Sequence, residues 1–190
     1  LIESEAKIIL MSHIEEPCGI IVEKLKMDNV AKKLSVILGR PILKADDCIG
    51  EKVKKQTENL KNGEILLLEN LRFHKEETEN NEEFAKKLAE LGEIYVNEAF
   101  SVCHRNHASV DLVSKFLPAY AGFLLEKEIL NLDKILINPK SPMAVIVGGK
   151  KVETKVKFID KISEIADFVL IGDLIKKEII DKNIKLKNPQ

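Results

Sequence analysis

Short apolar runs alternate with longer stretches of helical periodicity, and this alternation restricts the fold more than any other feature of the sequence. The apolar runs predict strands at 7–12, 41–45, 64–70, 93–100, 143–149 and 167–172. Apolar residues spaced three and four positions apart predict helices at 29–39, 80–92, 121–136, 152–162 and 173–182. Almost wholly apolar strands that alternate with helices are typical of a parallel sheet with helices on both faces. We therefore expect a three-layer, Rossmann-like α/β fold.

A segment with two prolines, NPKSP at 138–142, follows the longest predicted helix. Prolines this close together interrupt regular structure, so the segment is the best candidate for a domain boundary. We expect one domain over 1–137, ending in that long helix. Residues 138–190 are long enough for two strand–helix units, which we expect to begin a second domain.

The composition excludes several classes of function. Apolar residues make up 45% of the chain and charged residues 32%, which is ordinary for a globular protein. The formal net charge of -1 provides no field that would attract nucleic acid or an anionic membrane, and we expect neither as a partner. The three cysteines form no CxxC pair, which favours neither a disulfide framework nor a zinc site and fits a cytoplasmic location.

Arginine is rare in this chain, and its placement predicts an anion site. Only Arg40, Arg72 and Arg105 are arginines among 30 basic residues. Two of these arginines and all four histidines follow predicted strands, at His13, Arg72, His74, His104, Arg105 and His107. Ligands of parallel α/β proteins bind at the carboxyl ends of strands, and a guanidinium makes two-point contacts with phosphate or carboxylate. The pattern predicts a small, phosphorylated ligand, whereas the alternative is that these residues are surface or capping residues.

The segment VIVGGKKVETK at 145–155 is a second candidate site. A strand, then Gly148 and Gly149, then the start of a helix direct backbone N–H groups and the helix dipole toward an anion. Lys151 and Lys155 lie one helical turn apart, so both could reach the same phosphates. The segment matches neither the Walker pattern nor GxGxxG, and a simple turn is the alternative explanation.

Five segments, in order, resemble the phosphoglycerate kinase family: LLLENLRFHKEE, FAKKLAELGEIYVNEAF, HRNHAS, KFLPAYAGFLLEKEI and VGGKKVETK. The resemblance extends from about Lys7 to about Gly172. It implies the phosphoglycerate kinase fold, incomplete in this chain. HRNHAS is similar to the family's His-Arg-x-His-Ala-Ser stretch, which belongs to the basic patch that holds phosphoglycerate.

The resemblance also implies roles for the residues of the first candidate site. His13 begins a segment similar to the family's His-Leu-Gly-Arg-Pro and would touch the acyl substrate. Arg72 and Arg105 would bind the phosphate and carboxylate of the substrate, and Arg105 would also act in catalysis. His104 and His107 would add positive potential.

For the second candidate site, the resemblance implies a catalytic role for Lys151, which would neutralise the phosphoryl group in transit. Gly148, Gly149 and Lys155 would bind the nucleotide phosphates. The family's glycolytic reaction is reversible phosphoryl transfer between 1,3-bisphosphoglycerate and ADP, giving 3-phosphoglycerate and ATP. MgATP or MgADP is therefore expected as a substrate, with no protein-bound metal site in this chain, and the family is usually monomeric.

Several positions depart from the family pattern. The chain has HIEEP where the family has His-Leu-Gly-Arg-Pro, so that Glu15 replaces the glycine and Glu16 the arginine. Carboxylates beside an anion site would repel the substrate. Lys150 replaces an alanine, and Asp173 lies where glycines would permit close approach of the backbone.

The resemblance further implies that the family's first strand lies before Leu1 and that most of the nucleotide domain lies beyond Gln190. We therefore expect a truncated chain that is inactive alone. Three hypotheses follow: a phosphoglycerate kinase that is active only with the missing segments, a degenerate non-catalytic fragment or binder of a small phosphorylated anion, and a purely structural role for the arginines and histidines.

Overall fold

The computed structural model describes residues 1–137, 139–149, 153–184 and 186, and within them strands and helices alternate along the chain. In chain order these are β1 (Ile8–Leu10), α1 (Asp28–Leu38), β2 (Leu43–Lys44), α2 (Glu51–Glu58), β3 (Ile65–Leu67), α3 (Lys75–Thr78), α4 (Glu82–Ala89), β4 (Tyr95–Asn97), β5 (Ala119–Ala121), α5 (Phe123–Leu136), β6 (Ala144–Val147), α6 (Glu153–Ile162), β7 (Phe168–Ile171) and α7 (Asp173–Asp181). Short 3-10 helices cover Glu23–Leu25, Leu71–Phe73, Phe100–Val102 and Leu112–Lys115.

The chain divides into two compact units, Leu1–Leu125 and Glu126–Gln190. Every strand pair among the described residues is parallel, which confirms the predicted α/β class. The first unit contains a sheet of order β1-β3-β2 and a separate pair β4-β5, and the second unit contains the pair β6-β7. The division between these units falls within α5, between Leu125 and Glu126. The assignment of separate functions to residues 1–137 and 138–190 stays a prediction.

The central strand β3 is buried on both faces because its side chains alternate in direction. Leu66, in the middle of β3, and Leu68, just beyond its end, belong to a core cluster that includes Val53 of α2 and Phe84 of α4. Leu67 packs in a second cluster, with Met27 and Ala31 on the α1 side. Burial of one such leucine contributes about 1.5–3 kcal/mol, so helices on both sides hold β3 and the segment that follows it in place.

Local signals place two helix ends where the sequence predicts them. Gly39 follows α1 with φ +62°, a left-handed conformation that favours glycine, and its N–H donates to the carbonyl of Ser35. The side-chain oxygen of Asn81 accepts the N–H of Phe84 at 3.0 Å and so caps the start of α4.

The structure also corrects the sequence-based boundaries. The predicted helix at 121–136 begins only at Phe123, because Ala119–Ala121 pair with β4 as the strand β5. Helix α2 was not predicted, since its exposed residues are mostly charged and it buries only Val53 and Thr57. In the second unit, β6 and β7 pack with α6 and α7 around a core that contains Val147, Ile159 and Ile175.

Candidate functional site

The segment after β3 fixes the position of Arg72. Asn70 is fully buried, and its side-chain amide donates to the carbonyls of Ile14 and Leu25 at 3.0 and 3.1 Å. Its side-chain oxygen accepts the backbone N–H of Arg72 at 3.1 Å and caps the 3-10 helix Leu71–Phe73. Because a buried amide is costly to leave unpaired, these bonds favour a single conformation for the turn that carries Arg72.

Arg72 and Arg105 meet at the side chain of Glu16. Nη1 of Arg105 lies 3.0 Å from Oε1 of Glu16, and Nη1 of Arg72 lies 3.3 Å from the same oxygen. Arg72 also donates to the backbone carbonyl of Glu15 at 2.7 Å. The side chain of Arg72 is only 5% exposed, whereas that of Glu16 is 62% exposed. The structure thus brings together the two arginines that the sequence analysis assigned to one site, and their binding of a substrate remains a prediction.

Glu16 places a negative charge at the centre of this cluster. The hydrogen bond from Arg105 and the positive charges of Arg72 and Arg105 lower the pKa of Glu16, so its carboxyl group is ionised at neutral pH. From its charge alone, this carboxylate is expected to repel an anion. The structure shows in addition that it contacts both guanidinium groups directly.

The contact with Glu16 does not satisfy either guanidinium fully. The Nε atoms of Arg72 and Arg105 are buried and have no hydrogen-bond partner among the described residues. An unpaired buried donor costs about 1–3 kcal/mol. A group with several oxygens, such as phosphate, has more acceptors to offer a guanidinium than one carboxylate oxygen.

Two histidines, His13 and His107, lie near both arginines, but they contribute little positive charge to the cluster. Burial, followed by the positive charge of Arg72, lowers the pKa of both His13 and His107. His104 is exposed, and its charge also lowers the pKa of His107. Both affected histidines are therefore mainly neutral at neutral pH, and the positive potential of the cluster comes chiefly from Arg72 and Arg105.

A buried carboxyl group, which the sequence analysis missed, holds the segment that carries Arg105. Glu77 is 1% exposed and accepts the N–H of Ser109 at 2.9 Å and its hydroxyl at 2.6 Å. The backbone carbonyl of Glu77 accepts the N–H of Ala108 at 2.9 Å, and Nδ1 of His107 lies 3.8 Å from Oε1. Burial raises the pKa of Glu77, while the bonds from Ser109 oppose that shift. Glu77 thus anchors residues 107–109, which begin two positions after Arg105.

The second candidate segment combines a strand end with two glycines, as predicted. β6 ends just before Gly148, and Gly149 has φ +100°. Nζ of Lys155 donates to the carbonyl of Gly148 at 2.5 Å, so this lysine folds back onto the glycine segment. Lys150 and Lys151 lie outside the described residues.

Asp173 opens α7 directly after Gly172, where the family pattern has glycines. A carboxylate in the first turn interacts favourably with the positive end of the helix dipole. The same charge opposes the binding of a phosphate at that helix start.

Asp47, Cys48 and His74 form one group among the described residues whose donor atoms could surround a metal ion, all within 4.8 Å of one another. Nε2 of His74 lies 2.7 Å from Oδ1 of Asp47, which also accepts the N–H of Cys48 at 2.7 Å. Burial raises the pKa of the Cys48 thiol, which therefore stays protonated. The three residues are joined to one another by hydrogen bonds.

Taken together, these features define a parallel α/β protein with an arginine pair suited to an oxyanion at the end of a strand. The sequence model of the family "Phosphoglycerate kinase" matches residues 1–184, and the chain belongs to this kinase family.

Named relatives agree with this assignment. The chain is 49% identical over 173 residues to a chloroplastic phosphoglycerate kinase of Chlamydomonas reinhardtii, covering 90% of this chain and 38% of the relative. It is 46% identical over 172 residues to a phosphoglycerate kinase of Pelotomaculum thermopropionicum, covering 90% of this chain and 44% of the relative. The chain therefore spans less than half the length of these relatives.

Solved structures show the same similarity. A phosphoglycerate kinase from Pyrococcus horikoshii superimposes with a TM-score of 0.86 at 33% identity, covering 98% of this chain and 48% of that one. A phosphoglycerate kinase from Coxiella burnetii gives a TM-score of 0.79 at 32% identity, covering 96% of this chain and 46% of that one. Across the described residues, no helix has the length and apolar character needed to cross a membrane.

Proposed function

We propose that this chain supplies the phosphoglycerate-binding part of a phosphoglycerate kinase, followed by the beginning of its nucleotide-binding part. The observation that carries the proposal is the meeting of Arg72 and Arg105 at one carboxylate oxygen, at 3.3 and 3.0 Å. Two guanidinium groups from distant segments that share one oxygen form an arrangement suited to a phosphate or carboxylate ligand.

In this proposal the ligand of the first unit is 3-phosphoglycerate or 1,3-bisphosphoglycerate. Arg72 and Arg105 bind oxygens of the phosphate and carboxylate groups, and His13 contacts the acyl end. His104 and His107 add positive potential beside the bound anion, and for His107 the nearby negative charge favours the protonated imidazole.

The proposed reaction is reversible phosphoryl transfer between 1,3-bisphosphoglycerate and ADP, yielding 3-phosphoglycerate and ATP. Such transfers depend mainly on alignment of the reactants and on neutralisation of the charge on the moving group. Gly148, Gly149 and Lys155 are proposed to contact the nucleotide phosphates, and Lys151 to neutralise the transferred group. The nucleotide enters with its own Mg²⁺, as a substrate.

We further propose that the 190 residues alone do not complete this reaction. Transfer requires both substrates to be held in line at close distance, with water excluded. Cytoplasmic location, a monomeric state and small molecules as the sole partners also belong to the proposal, and the chloroplastic relative gives a different location for one family member.

A second candidate function is non-catalytic binding of a small phosphorylated anion. The contact of Glu16 with both arginines favours a degenerate site without catalysis, since that carboxylate weakens the binding of the anionic substrate that turnover requires. A coupled assay for ATP-dependent consumption of 3-phosphoglycerate, run on this chain and on any longer product of its gene, separates the two functions. Turnover by the longer product supports the enzyme, and its absence there favours the binder.

Calorimetric titration with 3-phosphoglycerate tests the shared part of both proposals. Loss of one charge-assisted contact costs about 1.5–3 kcal/mol, so Arg105→Gln is expected to weaken binding at least about tenfold. Arg40→Gln is the matched control, because Arg40 is exposed and, among the described contacts, its side chain donates only to the Gly63 carbonyl, at 3.3 Å. Equal affinities for both variants, or no binding by the unmodified chain at millimolar ligand, would contradict the proposal.

A further inference from the structure

Glu16 has two properties that distinguish it from a structural ion-pair partner. Its carboxylate lies between two arginines, yet its side chain remains 62% exposed. Because the Glu16 carboxylate is open to solvent in both ion pairs, water competes for the contact and weakens it. The contact is therefore weak enough to be exchanged for another anion.

The backbone around Glu16 is held independently of its side chain. The carbonyl of Ile14 accepts from the buried Asn70, and the carbonyl of Glu15 accepts from Arg72 at 2.7 Å. On the other side, the N–H of Gly19 donates to the carbonyl of Arg72 at 3.1 Å. The Glu16 side chain can consequently rotate away from the arginines without any of these bonds breaking.

The arginines are incompletely satisfied while Glu16 occupies them. The same oxygen, Oε1, accepts from one nitrogen of each guanidinium, and both Nε atoms are buried with no partner in the part of the chain that the structure describes. A phosphate group carries more oxygens and more charge than a carboxylate, so it can replace Glu16 between the two guanidinium groups.

We propose that Glu16 is an internal competitor for the anion site: its carboxylate takes the position of a substrate oxyanion between Arg72 and Arg105 and leaves when the substrate binds. The inference rests on the proposed function, because it assumes that the arginine pair binds an external anion. In this role Glu16 sets the affinity of the site for the external anion and does not stabilise the fold.

The alternative explanation is that Glu16 acts only through its charge, by repelling an approaching anion. Glu15 distinguishes these possibilities, because it is the adjacent residue, carries the same charge and is also exposed. Its backbone carbonyl binds Arg72, but within the described part of the chain its side chain makes no hydrogen bond or ion pair. Glu15→Gln therefore removes a neighbouring charge without vacating the contact between the arginines.

The test is calorimetric titration of the 190-residue chain, Glu16→Gln and Glu15→Gln with 3-phosphoglycerate and with inorganic phosphate. Release of the two arginines from this solvent-exposed carboxylate predicts about tenfold tighter binding of both ligands by Glu16→Gln. Glu15→Gln is expected to change either affinity less than about twofold, because screening by water and salt weakens a charge that makes no contact.

The outcomes distinguish the inference from the proposed function. If the unmodified chain binds 3-phosphoglycerate and Glu16→Gln binds it equally or more weakly, the internal competitor is refuted and the anion site stands. If Glu15→Gln tightens binding as much as Glu16→Gln, repulsion rather than occupation explains the effect, and the inference is again wrong. If none of the three proteins binds either ligand, the proposed function fails and the inference fails with it. Circular dichroism of each variant verifies that the fold is unchanged.

Discussion

The two candidate sites of this chain are constructed in different ways. In the first unit, Arg72 and Arg105 come from separate loops, and the buried polar residues Asn70 and Glu77 hold those loops. In the second unit, the glycine segment and Lys155 belong to one continuous stretch that joins β6 to α6. A site assembled from distant segments depends on residues that never touch the ligand, whereas a local site depends mainly on its own backbone conformation.

If the first site depends on its buried support, the largest loss of stability is expected on substitution of Glu77. Glu77→Ala removes the acceptor of both Ser109 bonds and leaves buried donors unpaired, which is expected to lower the free energy of unfolding by about 3 kcal/mol. Urea denaturation followed by tyrosine fluorescence measures this loss, because both tyrosines, Tyr95 and Tyr120, belong to the first unit.

Glu79→Ala is the matched control for that variant. Glu79 directly follows α3 and is exposed, so its removal should change the free energy of unfolding by less than about 0.5 kcal/mol. Equal stability of Glu77→Ala and Glu79→Ala would show that the first site does not depend on its buried support.

A smaller effect is expected at Gly149 in the second unit. Its φ of +100° is unfavourable for any residue with a Cβ atom, and a Cβ there would lie 2.6 Å from Nζ of Lys155. Gly149→Ala should destabilise this unit by about 1 kcal/mol, measured by amide hydrogen exchange in β6 and α6. Gly148→Ala is the control, because its Cβ would meet nothing within 4 Å, and an equal loss there would contradict the local explanation.

The smallest predicted effect is on the titration of the histidines, measured by NMR. His74 is expected to titrate above its ordinary pKa of 6.5, because of its hydrogen bond to Asp47, and His13 and His107 below it, because of burial and the arginines. In Glu16→Gln the pKa values of His13 and His107 should fall further, since Glu16 raises both, while that of His74 stays constant.

These shifts have opposite consequences for stability. Because the pKa values of His13 and His107 are lowered by folding, these imidazoles bind protons more readily in the unfolded chain than in the folded one. Their contribution to the free energy of unfolding is therefore present above pH 6.5 and is lost as the pH falls through the pKa values of the folded state. The raised pKa of His74 contributes stability that is complete below pH 6.5 and is lost as the pH rises through its folded value. Identical titration of all three histidines would contradict the described cluster.

The sequence predicted the fold class and most elements, because apolar runs and helix caps act locally. The end of α1 at Gly39 and the start of α4 after Asn81 are examples. The sequence pattern did not predict α2, because most of its residues are charged and only two are buried. It also did not predict β5, whose three residues are all exposed and form a strand only by pairing with β4. A strand that is defined by pairing with a distant segment cannot be recognised from the hydrophobic pattern of its own residues.

For the site, rare arginines after strands and the family resemblance led to the pair Arg72 and Arg105. The sequence offered a signal for Glu16, a carboxylate in place of an arginine, but could not show that it contacts both guanidinium groups. Asn70 and Glu77 lie within the quoted motif LLLENLRFHKEE. Their roles depend on hydrogen bonds to segments far along the chain, which spacing alone does not reveal.

A crystal structure of this chain with 3-phosphoglycerate tests most directly whether the two arginines form a single anion site. We expect a phosphate or carboxylate oxygen of the ligand at about 3 Å from both Arg72 and Arg105, with the Glu16 side chain turned away into solvent. A ligand bound elsewhere in the first unit, with Glu16 still bridging the two guanidinium groups, would contradict it.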